Sequence, residues 1–198
     1  MLSYSCRKNP TVQNPVYAGK YDDTYNYIKF SPVKNIQIKW DSLNFYGFGS
    51  DSIDLDQDGI FDMIFELALI NEDSLHLIDE FTFPLPYFAI TPKNQLDLSC
   101  YYEYFYVGLN QTVKVEFLES LSYNDRIDTI TNWLSSTDGK QLMWDTNPGF
   151  FIDPSFGKWY DAVGNYYLGI RINGKYGWIE IDNANRFDPL IKSYAFTH

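Results

Sequence analysis

YYLGIRINGKYGWIEI, residues 166–181, is the stretch that decides the fold. It contains two strand-like runs, Tyr166–Ile172 and Lys175–Ile181, which are rich in β-branched and aromatic residues. Between them stand Asn173 and Gly174, two residue types that accept the positive φ of a tight turn. An Asn-Gly pair between such runs is the strongest short-range signal for a β-hairpin. The stretch therefore predicts two antiparallel strands joined by a two-residue turn.

The two faces of the predicted hairpin carry different side chains. Successive residues of a strand point to opposite faces of the sheet. Ile179 and Ile181 therefore share one face, which we expect to line the core. Trp178 lies on the other face, where we expect it to pack against Tyr167.

The chain outside the hairpin shows the same strand-like character. Alternating or continuously apolar runs occur at residues 36–40, 62–70, 76–83, 96–107, 112–118 and 190–196. No stretch predicts a long helix. We therefore expect an all-β fold, a mostly antiparallel β-sandwich or jelly-roll-like domain, over residues 28–198. Residues 1–27 lack an apolar period and are predicted to be an N-terminal arm.

An acidic stretch, DSIDLDQDGIFD at residues 51–62, carries the strongest chemical signal. Aspartates at alternate positions of a tight loop can turn their carboxylates inward together. The glycine that follows them permits the sharp turn. Calcium takes six to eight oxygen ligands in such a flexible cage. The predicted calcium ligands are Asp54, Asp56, Asp58, the carbonyl of Ile60, and Asp62.

This loop is not a complete EF-hand. That motif places a bidentate glutamate at position 12, where this chain has Phe65, and Glu66 comes one residue later. The loop is more similar to DxDxDG loops between β-strands of secreted modules. The alternative interpretation is a solvated acidic turn without metal. Closely spaced carboxylates repel one another when no cation neutralises them, which favours the metal.

Charge and composition exclude several classes of partner. The chain has a net charge of −11, which disfavours nucleic acid because a phosphate backbone requires a basic patch. No apolar run in the sequence is long enough to cross a bilayer. We therefore expect a membrane association only through a lipid anchor.

The beginning of the chain suggests where such an anchor would be attached. Residues 2–6, LSYSC, followed by Arg7 and Lys8, resemble the end of a bacterial lipoprotein signal. In that family the cysteine, here Cys6, becomes lipidated. Leu2 stands one place too far from the cysteine, and the hydrophobic segment of the family would have to lie upstream. The resemblance implies an extracytoplasmic location, on the outer membrane or cell surface, or secretion. The alternative is an incidental cysteine in an N-terminal arm.

A second resemblance covers roughly residues 36–196. The DxDxDG loop, the hairpin at 166–181 and the terminal strand ending in SYAF at 193–196 occur in the same order in a group of uncharacterised secreted or surface proteins of bacteria. The chain resembles that group. The resemblance implies an extracytoplasmic β-rich domain with bound calcium, and it implies no known activity.

Catalytic motifs give little indication of an enzyme. The two histidines are His76 and His198, so a nucleophile activated by histidine would have to use His76, which lies in a strand-like run. Two histidines without a cysteine cluster also disfavour zinc. A carbohydrate-active hydrolase needs only two carboxylates at a suitable separation, and this alternative stays open.

Aromatic residues in loop-like segments favour a binding module instead. Such rings beside aspartate and asparagine are typical of sugar-binding surfaces. The same rings can instead be loop anchors that close the core, and for these residues we favour that interpretation, since large aromatics dominate core burial. The candidate ligand-binding aromatics are Trp133, Trp144, Trp159 and Tyr160. We therefore expect a calcium-stabilised surface or secreted domain that binds a glycan or a surface protein. The alternative to a binding role is a purely structural surface lipoprotein.

Overall fold

The computed structural model describes residues 14–41, 46–70, 87–106, 112–135, 137, 139–145, 157–185 and 187–198. The strands are β1 (Val16–Tyr17), β2 (Tyr25–Asn35), β3 (Lys39–Asp41), β4 (Tyr46–Ile53), β5 (Met63–Ile70), β6 (Tyr87–Pro92), β7 (Leu96–Tyr106), β8 (Thr112–Leu118), β9 (Arg126–Ile127), β10 (Trp133–Leu134), β11 (Gln141–Asp145), β12 (Asn165–Ile172), β13 (Lys175–Asp182) and β14 (Leu190–Thr197). The described residues also contain one short helix, α1 (Lys158–Asp161). None of their helices has the length and apolar character needed to span a membrane.

The long strand β7 is shared by two sheets. Its first part, Leu96–Leu98, pairs with β12 in the hairpin sheet, which has the order β2-β14-β13-β12-β7, with β10 also on β7. Its second part, Cys100–Tyr106, pairs with β8 in the loop sheet, which has the order β7-β8-β11-β6-β5-β4-β3. Strands β8 and β11 pair in parallel, and the other paired strands that the structure describes are antiparallel. The predicted all-β, mostly antiparallel sandwich is confirmed.

The hairpin is confirmed in detail. Strands β12 and β13 pair antiparallel, and Ile172 lies opposite Lys175 at the end of the ladder. The turn consists of Asn173 with φ 49° and Gly174 with φ 80°. Two successive positive φ values match a type I′ turn, whose twist agrees with that of the flanking strands.

Both faces of the hairpin are buried, in two separate hydrophobic cores. The main core lies between the sheets, and it includes Ile179 and Ile181 together with Phe65 and Phe88 of the loop sheet. The second core lies on the other face of the hairpin and consists of Val16, Ala18, Ile127, Tyr167, Tyr176, Trp178 and Ala195. Trp178 meets Tyr167 edge to face, with 5.3 Å between the ring centroids. The predicted faces of the hairpin are therefore confirmed.

The second core is covered by part of the segment that the sequence assigned to the arm. Val16 and Ala18 are buried, and β1 pairs antiparallel with β9. The indole N–H of Trp178 donates a hydrogen bond to the carbonyl of Lys20, at 2.9 Å. Residues 16–20 are thus packed against the sandwich, and β2 of the hairpin sheet begins at Tyr25. The boundary at residue 27 stays a prediction.

The strand predicted at residues 36–40 is only partly correct, because the observed strand is confined to Lys39–Asp41. The preceding residues pass over Gly49 of β4, where a Cβ would lie 2.5 Å from the carbonyl oxygen of Gln37. Ile36 is buried in the main core at this crossing. The chain therefore uses 36–38 to move from the hairpin sheet to the loop sheet. The run at 76–83 lies outside the described residues.

Replacing Gly174 with Val is expected to destabilise the domain by about 1–3 kcal/mol, the cost of forcing a β-branched residue into positive φ. A Cβ at Gly174 meets no atom within 4 Å, so the effect would report backbone strain alone. The free energy of unfolding from urea titrations measures it. Gly174→Asn is the matched control and should lose less than Val, because asparagine tolerates this region. Equal stability of the Val variant and the native chain would contradict the turn assignment.

Candidate functional site

The acidic loop connects two paired strands of the loop sheet. Strand β4 ends at Ile53 and β5 begins at Met63, and these two residues lie opposite each other in the ladder. The N–H of Asp62 donates to the carbonyl of Ile53, at 2.9 Å, and closes the base of the loop. Residues 54–62 therefore project from a well-defined sheet end.

Three predicted ligands come together in this loop. One carboxylate oxygen from each of Asp54, Asp56 and Asp58 lies within 4.8 Å of the others, a group that could hold a metal ion. Backbone N–H groups of the loop orient these side chains. Gly59 donates to Asp54 Oδ2 at 2.8 Å, and Ile60 donates to Asp58 Oδ1 at 2.8 Å. The amide of Asp58 donates to Asp56 Oδ1 at 3.3 Å.

The second oxygen of Asp54 tests whether a cation fits. Asp54 Oδ1 is buried and accepts no hydrogen bond from the described residues. An unpaired buried carboxylate oxygen is costly, and a bound cation would satisfy it. Positive φ at Gln57 (62°) and Gly59 (90°) lets the backbone curl tightly around the three carboxylates. The residues present fit a cation bound by oxygen ligands.

Asp62 occupies a different position from the other three aspartates. Its side chain is buried, with 2 % of its surface exposed, and Oδ2 accepts a hydrogen bond from the N–H of Leu55 at 2.7 Å. Burial raises its pKa, an effect opposed by the bond from Leu55 and reinforced by the charge of Asp56. Asp62 is not in the group of three close carboxylates. Its bond to Leu55 joins the two ends of the loop.

Ile60 lies at the outer end of the loop, and 58 % of its surface is exposed. Its N–H is used by Asp58, as described above. A metal contact from its carbonyl stays a prediction.

Two of the candidate ligand-binding aromatics, Trp133 and Trp159, lie in different hydrophobic environments. Trp159 is fully buried in the main core and meets Tyr166 edge to face, at 6.3 Å between centroids. It is a core anchor and offers no ring face to a ligand. Trp133 packs against the second core, where it stacks on Tyr176 with 5.7 Å between centroids. These two tryptophans therefore belong to different cores.

The remaining candidates are only partly placed. Tyr160 follows Trp159 in α1 and packs against the main core. Trp144 lies in β11, and its side chain is outside the described residues. Cys6 and His76 are also outside them. Lipidation of Cys6 stays a prediction.

An open groove lined by tyrosines is a feature that the sequence analysis did not single out. It has a volume of about 520 Å³, and its lining includes Tyr17, Tyr21, Tyr25 and Tyr123. Tyr21 is 52 % exposed and Tyr123 is 63 % exposed. The tyrosines of the N-terminal segment were visible in the sequence, but nothing in it indicated that Tyr123 would join them.

Comparisons with known proteins identify no relative of this chain. No protein-family model, curated protein or solved structure matches the chain. The resemblance to secreted or surface β-domain proteins therefore stays a prediction, and function must be inferred from the geometry of the site.

Replacing Asp62 with Ala is expected to destabilise the calcium-free domain by about 1–3 kcal/mol, because the buried N–H of Leu55 loses its acceptor. Asp62→Asn keeps an acceptor oxygen and avoids the buried charge, so it should lose less. Urea unfolding of both variants in the presence of a chelator measures the difference. Equal losses for Ala and Asn would show that the bond to Leu55 does not support the loop.

Proposed function

We propose that this chain is a calcium-stabilised bacterial cell-surface or secreted β-domain that acts by binding or adhesion. In this proposal Asp54, Asp56 and Asp58 hold the ion, and the Ile60 carbonyl adds a further ligand. Asp62, whose Oδ2 accepts the N–H of Leu55, would complete the shell through its other oxygen or a bridging water. The buried, unpaired Oδ1 of Asp54 beside two further carboxylates is the observation that supports it most strongly.

Oxygen ligands select the kind of metal. Zinc prefers nitrogen and sulfur donors, whereas calcium and magnesium take carboxylate and carbonyl oxygens. Magnesium requires a compact octahedron and retains its waters. A loop of three aspartates on a flexible turn suits the irregular shell of calcium better.

A calcium ion in this loop would hold the ends of β4 and β5 together. The loop closes the β4–β5 pair, its Leu55 side chain is buried in the main core, and Asp62 accepts the N–H of Leu55 across the base of the loop. Neutralising the three carboxylates would remove their mutual repulsion at this sheet end. Calcium would therefore stabilise the sandwich rather than take part in a reaction.

The expected affinity favours an extracytoplasmic location. Without the position-12 glutamate, the dissociation constant should be on the order of 10⁻⁴ M, the range of extracellular modules. Such a site fills where calcium is abundant. Attachment through a lipid on Cys6 is part of the same proposal, and secretion is its alternative.

The open tyrosine groove supports the binding role. Its exposed rings are Tyr21 and Tyr123. The segment that carries Tyr21 is fixed to the sandwich by the hydrogen bond from the Trp178 indole to the Lys20 carbonyl. Concave surfaces with aromatic rings and a few polar groups are the usual sites for ligands.

Calcium is expected to raise the melting temperature. At about 1 mM free calcium and a dissociation constant on the order of 10⁻⁴ M, mass action adds about 1.4 kcal/mol of stability. For a domain of this size the shift is about 3–5 °C. Thermal melts with chelator, magnesium or calcium measure it, and magnesium should give the smaller shift.

The double variant Asp56→Asn, Asp58→Asn should remove this response while the domain still folds. The matched control is Asp161→Asn, Asp188→Asn, which removes two exposed charges outside the loop and should keep the calcium shift. Identical midpoints of the native chain in all three conditions, with no calcium bound in calorimetry, would refute the metal site.

A further inference from the structure

The tyrosine groove is formed by two turns that are distant in the chain. One wall is residues 17–22, with Tyr17 and Tyr21, and the other is the turn that carries Tyr123. Tyr17 is 38 % exposed, less than the other two rings. The volume, about 520 Å³, falls within the range of ligand pockets, about 300–1,000 Å³.

Backbone hydrogen bonds hold the two walls together. The N–H of Ala18 donates to the carbonyl of Asp125 at 2.9 Å, and the N–H of Asn124 donates to the carbonyl of Ala18 at 2.8 Å. A Cβ at Gly19 would lie 2.6 Å from Tyr123 Cδ2, and Gly19 has φ 75°. Glycine therefore allows the Tyr123 ring to lie directly against the opposite wall.

The two exposed rings also contact aromatic side chains in and around the second core. Tyr21 stacks on Tyr27 with 3.8 Å between centroids and 4° between planes. The ring centroids of Tyr21 and Tyr27 lie 6.3 and 6.1 Å from that of the buried Trp178. The ring centroids of Tyr123 and Tyr167 are 6.5 Å apart. Tyrosines held in this way offer rigid, amphipathic contact area at low entropic cost.

Two charged side chains complete the lining. Asp22 accepts hydrogen bonds from the hydroxyl of Thr24 at 2.6 Å and from its N–H at 2.8 Å. These bonds hold the pKa of Asp22 below its ordinary value, so the carboxylate is ionised at neutral pH. Lys20 Nζ lies 5.6 Å from the centre of the Tyr17 ring. The groove thus combines exposed tyrosine rings with one strong acceptor and one strong donor.

We propose that this groove binds a neutral glycan. A pyranose ring has an apolar face of C–H bonds, which would lie on Tyr21 and Tyr123, and a rim of hydroxyl groups that both donate and accept. Asp22 would accept from those hydroxyls, and Lys20 would donate to them. The assignment rests on the proposed binding role and supplies its site and ligand class.

Charge argues against an acidic ligand. The chain carries −11 overall, so carboxylated or sulfated polymers would be repelled, and in the groove itself Lys20 only balances the charge of Asp22. An extended peptide is less suited, because it would need free backbone groups to pair with. The N–H and carbonyl of Ala18 already bond to Asp125 and Asn124 in the two turns. Ring stacking with hydroxyl hydrogen bonds uses what the groove leaves available.

The test is affinity electrophoresis of the folded domain through gels containing laminarin, galactomannan, xyloglucan or starch, with alginate as the acidic polymer. Tyr123→Ala and Tyr21→Ala should each weaken retardation by the recognised neutral polymer, by about 3- to 10-fold in dissociation constant. Tyr123→Phe should keep most of it, since the ring remains. Tyr104→Ala is the matched control, because Tyr104 is 65 % exposed on β7, outside the groove lining.

Loss of retardation in the two groove variants but not in Tyr104→Ala would support the proposal. Equal retardation of all variants would overturn the groove assignment and leave a binding role elsewhere on the surface. Retardation by alginate alone, or by no polymer, would overturn the neutral glycan. Repeating the gels with Asp56→Asn, Asp58→Asn separates the two proposals. Retained retardation with a lost calcium shift would uphold the groove independently of the metal.

Discussion

Trp178 and Ile179 are neighbours in β13, and both are fully buried on opposite faces of the same strand. A strand apolar on both faces must be covered on both, because each large apolar side chain removed from water contributes about 1.5–3 kcal/mol. The loop sheet covers the face of Ile179, and the segment with Val16 and Ala18 covers the face of Trp178. The hairpin sheet therefore needs both the loop sheet and the N-terminal segment to cover it.

Both candidate sites are attached to that buried framework. The acidic loop begins and ends at Ile53 and Met63, which are buried in the main core, so the aspartates project from a fixed base. The tyrosine groove lies over the second core, and the indole of Trp178 binds the carbonyl of Lys20 in its wall. The hydrophobic cores thus orient polar chemistry that they do not themselves contain.

Local sequence was sufficient where a few adjacent residues determine the geometry. Asn173 and Gly174 both adopt positive φ, as the hairpin required, and three of the loop aspartates converge. It was insufficient for burial. Trp159 sits in a loop-like context yet lies fully inside the main core, where Asn183 Nδ2 donates to its carbonyl at 2.6 Å. A residue distant in the chain supplies that contact, and no local pattern indicates it.

The sequence by itself determined the turn type, the strand-rich class and the oxygen chemistry of the acidic loop, because each depends on the intrinsic preferences of contiguous residues. Only the tertiary structure decided that Asp62 is buried and accepts the N–H of Leu55 within the loop. It also decided that Tyr21 and Tyr123, which are distant in the chain, line the same groove. The first arrangement depends on the burial of Leu55 in the main core, and the second depends on the packing of the N-terminal segment over the second core. Both are set by the combined burial of many side chains, and no single stretch of sequence contains them.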